Sequence, residues 1–387
     1  MKIAFVRKSY RFHGGAEQHL TQLMLDLQRA GHEVHLFAHQ WTGDRLAGIT
    51  FHPVPMIGGL SFLKVLTFAW FAKRRLRGHR FDIVQSLDKT VSQDIYWAED
   101  GCHRAWLSAR TKRLSPFQRF LVFLNPLHWL ILRIESRIFK RGNYKKIIAI
   151  SKQVKEEIVQ LYPVRPDDVT VIYNGVDLER FHPRNREASR GVIRKRHQVS
   201  ESQFLLLFVG SGFERKGLRC VIEALGVLKT PEIVLFVLGR GRSINYLQRA
   251  AQLGIGASVR FLGPQKQIEK YYASADLFVF PTLYEPFGQV HLEAMASGLP
   301  VITNAGCGGA EIVREGENGA LLKDPTDSLL LAEKINSFYN EARSDPRFME
   351  RTGRAARREA ERYPPEKAAR EMVALYREIV AGGRPDC

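Results

Sequence analysis

Short apolar runs alternate with stretches of helical period along most of the chain. Residues 3–6 form a four-residue apolar run, 12–15 read as a turn, and Leu20, Leu23, Met24 and Leu27 recur at helical spacing. Gly31 then stops the helix, and residues 34–37 form a second run. That order predicts one βαβ unit. Further runs at 83–84, 147–150 and 169–172 extend it into a parallel sheet covered by helices. After Tyr173-Asn-Gly-Val-Asp177 a polar, basic stretch through His197 lacks a strong period and reads as a linker. The pattern restarts with strand candidates at 204–209, 233–238, 259–262, 277–280 and 301–302. The fold class expected is α/β, with two Rossmann-like, doubly wound domains at 1–175 and 176–365. Ligands of this architecture sit beyond the strand ends, which predicts a cleft between the domains. A last helix at 366–380, with Ala369, Met372, Val373, Tyr376 and Val380 apolar, is expected to cross back to the first domain.

Composition sharpens the choice of partner more than the fold. With 387 residues, 45% hydrophobic and 25% charged, the chain is long enough for two cores and too apolar to be disordered. Lys and Arg number 58 against 40 Asp and Glu, a formal charge of +18, so the partner is expected to be anionic. Residues 1–175 hold 27 bases and 14 acids, and 176–387 hold 31 and 26, which puts most of the attraction in the first half. Nucleic acid, an acidic membrane face and a phosphorylated small molecule all fit that charge. The four cysteines, Cys102, Cys220, Cys307 and Cys387, show no metal or redox spacing, so no metal site is expected and a reducing compartment is. The apolar run in residues 1–8 is too short for a signal-peptide core, and the longest apolar stretch, 120–132, falls short of the roughly 20 residues that span a bilayer. A cytoplasmic protein is expected.

Three segments carry candidate chemistry. Residues 284–298, Tyr-Glu-Pro-Phe-Gly-Gln-Val-His-Leu-Glu-Ala-Met-Ala-Ser-Gly, follow an apolar strand and place Glu285 in a loop, Gly288 at a helix start and Glu293 inside that helix. A helix N-terminus offers N–H groups and partial positive charge to a diphosphate. Eight residues at 1.5 Å rise separate the carboxylates by up to about 12 Å, enough for one acid at each end of a nucleotide sugar. The second segment, residues 208–217, runs from a strand into a Gly-rich turn with Arg215 and Lys216 adjacent, suited to neutralising a leaving diphosphate. The third, His13-Gly-Gly-Ala-Glu-Gln-His19, is another Gly-rich strand-to-helix junction, with neither a Walker lysine nor G-x-G-x-x-G.

Together the Gly-Gly-Ala-Glu string, the Arg-Lys-Gly turn and the E-x7-E string from Glu285 to Glu293 resemble the retaining GT-B glycosyltransferases of the family-four type, in order and spacing over nearly the whole chain. The resemblance implies two Rossmann-like domains and metal-independent sugar transfer with retention, without a cofactor beyond the nucleotide-sugar co-substrate. Within that family the strings at 40–44, 95–100 and 209–218 resemble the lipopolysaccharide core heptose glucosyltransferases, Ser211 included. UDP-glucose is then the implied donor and the lipopolysaccharide inner core the acceptor, bound by the N-terminal domain. Arg215 and Lys216 would bind the diphosphate, Gly15 would offer it a backbone N–H, Glu293 would hold ribose hydroxyls, and Glu285 with Phe287 and Gly288 would position the donor sugar. Asp100 and His103 fall on the acceptor side. Ala16-Glu-Gln-His19 departs from the Leu-Gln-Arg-Asp of those enzymes, which makes Glu17 and His19 acceptor-side candidates and leaves donor and acceptor identity open.

From Arg104 to Lys146 there are 11 bases and one acid, Glu135, interleaved with Trp106, Phe117, Phe120, Phe123, Trp129 and Phe139. Bases beside large apolar residues suit an anionic membrane surface, with Lys112, Arg113, Arg119 and Trp129 as candidates and a peripheral location on the inner face of the cytoplasmic membrane. A transferase for another envelope glycan, capsule or O-antigen, is the alternative from the same class. A nucleic-acid-binding protein rests on charge alone, with no helix-turn-helix, zinc or RNP signature, so nucleic acid is not an expected partner.

Overall fold

Seven strands form the first sheet: β1 (Lys2–Val6), β2 (Glu33–Ala38), β3 (Ile49–Pro53), β4 (Ile83–Ser86), β5 (Ile95–Ala98), β6 (Lys146–Ala149) and β7 (Val169–Val171). The computed structural model describes residues 1–11 and 15–382, with the side chains of residues 11 and 15–19 outside the description. All seven strands are parallel, in the order β3-β2-β1-β4-β5-β6-β7, with Ile3 paired to Val34 on one side and Ile83 on the other. Residues 3–6 and 95–98 are buried throughout, as expected of central strands covered by helices on both faces. Ala4, Val6 and Phe37 pack against Phe68, Ala72 and Leu76 of the helix Ser61–Leu76. This unit comprises Met1–Asn174 and the chain from Pro365 onward. The helix Pro365–Ala381 returns to it by burying Met372, Leu375, Tyr376 and Ile379, and the Tyr376 hydroxyl donates to Gln85 Oε1 at 2.7 Å.

The second unit, Gly175–Pro364, holds a six-stranded parallel sheet of β8 (Phe204–Val209), β9 (Ile233–Leu238), β10 (Val259–Gly263), β11 (Leu277–Phe280), β12 (Val301–Asn304) and β13 (Gly319–Leu322). Its order is β10-β9-β8-β11-β12-β13. The chain therefore winds outward from β8, returns to the centre at β11 and winds out the other way. Neighbours β8 and β11 flank the switch point where such sheets bind ligands.

The stretch expected as a linker contains the helix Asn185–Arg196. Its period is hidden because the inward face is ionic: Arg186, Arg190 and Arg194, four residues apart, reach Asp276 at 3.0, 2.8 and 2.5 Å. Asp276, buried just before β11, also accepts the Leu205 backbone N–H at 2.8 Å. Burial alone would raise its pKa, but the three guanidinium groups outweigh that and hold it below the usual carboxylate value. The anchor ties helix, β8 and β11 together beneath the switch point.

Candidate active site

In the second unit the loops after β8 and β11 lock together. Gly217, at φ +80°, closes the turn after β8, and a Cβ there would lie 1.9 Å from the Pro281 carbonyl oxygen, so only glycine permits the approach. Leu283 N–H donates to the Arg215 carbonyl at 2.8 Å, and Arg215 Nη1 donates to the Tyr284 carbonyl at 3.0 Å. The result brings Arg215 and Lys216 against Glu285, 69 residues later. Lys216 Nζ pairs directly with Glu285 Oε2, and Arg215 Nη1 lies 3.6 Å from the same oxygen. Burial pushes the Glu285 carboxyl up, yet the charges of Lys216 and Arg215 overcome it and keep the group ionised below its ordinary value.

Gly288, at φ +78°, turns the chain into the helix Gln289–Ala296, where the His291 N–H donates back to the Gly288 carbonyl at 2.9 Å and the N–H groups ahead of it, of Gln289 and Val290, have no acceptor within the helix. The turn is braced from behind by His291, fully buried, with Nδ1 2.9 Å from the Gly288 carbonyl and Nε2 2.8 Å from Thr303 Oγ1. Burial lowers the His291 pKa to about 4, so the ring is neutral. The Gly288 carbonyl can only accept, so Nδ1 carries the proton of the neutral ring, while Thr303 Oγ1 is shared between Nε2 and the Phe280 carbonyl, 2.9 Å away. About one turn along the helix, Glu293 Oε2 accepts from the Tyr272 hydroxyl at 2.9 Å. Burial raises the Glu293 pKa, with Tyr272 and Arg180 opposing.

In the first unit, Asp100 is exposed just past β5, and Gly101, at φ +69°, leads into the helix His103–Thr111. No side chain at Cys102 caps that helix; the carboxylate of Glu135, from the helix Pro126–Ile138, does so instead. It accepts from the backbone N–H groups of His103 at 2.8 Å and Arg104 at 3.2 Å, from Lys89 Nζ at 2.9 Å and from the Tyr162 hydroxyl at 2.6 Å. Burial works against this charge, and Lys89, Tyr162 and the His103 N–H together pull the pKa below its usual value. His103 Nε2 lies 3.2 Å from His128 Nδ1, and burial lowers its pKa to about 4. Glu135 was missed as a site residue by the sequence reading; the signal available was its position as the single acid among 11 bases.

Of the donor-side candidates, Arg215, Lys216, Glu285, Phe287, Gly288 and Glu293 gather beyond the C-terminal ends of the central strands β8 and β11, Phe287 buried. Asp100 and His103 lie beyond the C-terminal end of the interior strand β5 of the first sheet. Gly15 opens the helix Gly15–Arg29, while His13, Gly14 and the side chains of Glu17 and His19 lie outside the described residues. Phe117, Phe120, Phe123 and Trp129 of the basic segment are exposed, whereas Phe139 is buried in the core.

Two Rossmann-like sheets, with a cationic turn and an acid-flanked helix start at the switch point of the second, define a class. Residues 13–180 match the model for Glycosyltransferase Family 4, and residues 189–359 that for Glycosyl transferases group 1. An uncharacterized glycosyltransferase of Methanocaldococcus jannaschii, MJ1607, is 33% identical over 399 residues, 97% of this chain and 98% of its own. The chain belongs to the GT-B glycosyltransferases. It is also similar to the lipopolysaccharide glucosyltransferase WaaG of Escherichia coli K12, at 26% identity over 347 residues, 88% of this chain and 89% of that one. The crystal structure of WaaG, a glycosyltransferase involved in lipopolysaccharide biosynthesis, superimposes with a TM-score of 0.83 at 25% identity, covering 98% of this chain and all of that one. The fold is shared as well with Anabaena HepE in complex with UDP-glucose, at a TM-score of 0.71 and 21% identity over 98% of this chain and 100% of that one.

Proposed function

We propose that this glycosyltransferase moves glucose from UDP-glucose onto the inner core of lipopolysaccharide, with retention and without a metal, as a peripheral protein on the inner face of the cytoplasmic membrane. The observation that carries the reading is the Lys216–Glu285 pair beside Arg215 and the Gly288 helix start. An incoming diphosphate competes with Glu285 for Lys216 and Arg215, and the carboxylate so released accepts hydroxyls of the donor sugar. Glu293 takes the ribose. As the bond from the anomeric carbon to UDP breaks, the acceptor oxygen bonds that carbon from the same face, and its proton passes to the departing diphosphate oxygen. The charge developing there is what Arg215, Lys216 and the helix start stabilise, which is the largest expected contribution to the rate.

The donor and the acceptor rest on similarity to WaaG, named as a lipopolysaccharide glucosyltransferase, and on HepE, solved with UDP-glucose. Support for the membrane face comes from the exposed rings of Phe117, Phe120, Phe123 and Trp129 among Lys112, Arg113 and Arg119. No helix among the described residues is long and apolar enough to cross a membrane. Each base near an anionic surface contributes about 1 kcal/mol, so attachment is reversible and salt-sensitive.

Transfer or hydrolysis with a panel of UDP- and GDP-sugars, using Glu285→Ala and Lys216→Ala as controls, tests the site; full turnover by both variants would show that the chemistry lies elsewhere. Changing Lys112, Arg113 and Arg119 to Glu should lower co-sedimentation with anionic vesicles, and an unchanged bound fraction would remove the membrane part of the reading.

A further inference from the structure

In the first unit the helices His103–Thr111, Pro116–Phe123 and Pro126–Ile138 enclose a groove of about 490 Å³. Its walls are Leu107, Phe120, Val122, Phe123, Trp129 and Leu132, with Arg119 also on the lining. The polar atoms of the wall are turned to protein partners: Thr111 Oγ1 donates to the Leu107 carbonyl at 2.8 Å, Trp129 Nε1 donates to the Phe123 carbonyl at 2.6 Å, and His128 Nδ1 faces His103 Nε2 at 3.2 Å. The groove thus offers an occupant contact with carbon and almost no hydrogen bonding.

Charge says what kind of apolar occupant fits. Residues 103–138 carry seven Arg and Lys, and their one acid, Glu135, is fully buried and paired with Lys89. No exposed acid of this segment opposes the bases. The helix Pro116–Phe123 buries none of its residues, and Phe117, Leu121, Phe123 and Leu124 beside the groove are more than half exposed. An apolar slot in a surface of one sign is complementary to an anionic amphiphile.

We propose that this groove binds one acyl chain of an anionic membrane phospholipid, with the headgroup phosphate among Lys112, Arg113 and Arg119. The proposal deepens the membrane-face reading and rests on it for the source of the lipid. Adsorption of exposed rings and bases is diffuse, whereas the groove binds a single chain stoichiometrically. Each methylene moved from water into the slot tightens binding by a factor of about four, until the slot is full.

Titration calorimetry of the full chain with lauroyl lysophosphatidylglycerol, kept below its micelle concentration, should show saturable binding of one lipid per chain and a negative heat-capacity change. The myristoyl homologue should bind up to about 15-fold more tightly. Val122→Trp and Leu132→Trp fill the slot from different helices and should each weaken binding at least about tenfold while leaving vesicle co-sedimentation intact, because the exposed rings and bases remain; matching thermal melts check folding, and the chain-length series carries the test if either fails to fold. Equal binding by the filled variants, heat that appears only with micelles, equal affinity for the zwitterionic lysophosphatidylcholine, or a dimer of this chain that closes the groove against lipid would each overturn the proposal. Retained monoacyl binding with charge-independent vesicle binding would instead sink the membrane-face reading alone.

Discussion

Replacing Lys216 with Met separates the structural from the chemical role of the donor-site charge pair. The side chains of Lys216 and Glu285 are only 12% and 11% exposed, so the variant leaves a buried carboxylate without its main partner. Removing one member of a buried pair costs about 3–5 kcal/mol; Arg215, 3.6 Å from the same oxygen and 39% exposed, offsets part of it and favours the lower figure. For a unit of this size, about 3 kcal/mol lowers Tm by roughly 6–12 °C. The double variant Lys216→Met with Glu285→Gln removes the orphaned charge and should recover most of that loss. Activity should behave oppositely: both the single and the double variant lose the cation proposed to meet the leaving diphosphate, and turnover of the proposed donor, UDP-glucose, should fall at least about a hundredfold in each. Urea melts and UDP release measure the two quantities on the same samples. A Lys216→Met protein as stable as the parent, or a double variant that regains turnover with stability, would refute the reasoning.

Gly217→Ala should cost about 1–2 kcal/mol for the left-handed backbone alone, with the clash at Pro281 added, and should raise the KM for donor by displacing the neighbouring Lys216; a thermal melt and donor titration check both. Glu293→Gln keeps the side-chain shape but loses a charged acceptor, so donor KM should rise roughly tenfold to a hundredfold with little change in Tm, and an unchanged KM would exclude Glu293 from nucleotide binding. His291, depressed from 6.5 to about 4 by burial, is neutral above pH 6.5 in both folded and unfolded chains, but between those values only the unfolded chain takes the proton. Stability should therefore be lost as pH falls from about 6.5 to 4, by about 3 kcal/mol from this group, and His291→Gln should flatten that slope in pH-resolved urea melts.

Strands buried on both faces were legible because they are nearly unbroken apolar runs, as at 204–209 and 233–238. Those that escaped have a mixed surface or a weak composition. β3, at the sheet edge, is only half-buried and reads Ile-Thr-Phe-His-Pro; β13 begins with glycine; and β5, four buried residues long, opens the string 95–100 and holds two aromatic residues rather than a longer aliphatic run. The helix Asn185–Arg196 escaped for a different reason. Periodicity detects apolar stripes, and its stripe is three arginines on one aspartate 82 to 90 residues away. Nothing local to the helix reveals that Asp276 exists to receive them.

The same limit separates what was legible in the two candidate sites. Glu285, Glu293, Arg215 and Lys216 stand in strings whose spacing already implies a helix start and a cationic turn, while the pairing of Lys216 with Glu285 follows only from β8 lying beside β11. Glu135 belongs to no string, and its partners Lys89, His103 and Tyr162 come from three other segments. Both carboxylates are buried and each holds a lysine near the switch point of its sheet, yet their surroundings assign them different work. Glu135 is fully buried and receives five donors, the Cys102 thiol and two backbone N–H groups among them, so an arriving anion cannot displace it without unfolding the start of the helix it caps. Glu285 is held chiefly by one lysine and a half-exposed arginine, both of which a diphosphate can take over. The number and kind of the donors, backbone N–H groups against side-chain cations, distinguish the carboxylate that holds a loop from the one that can release a cation to a substrate.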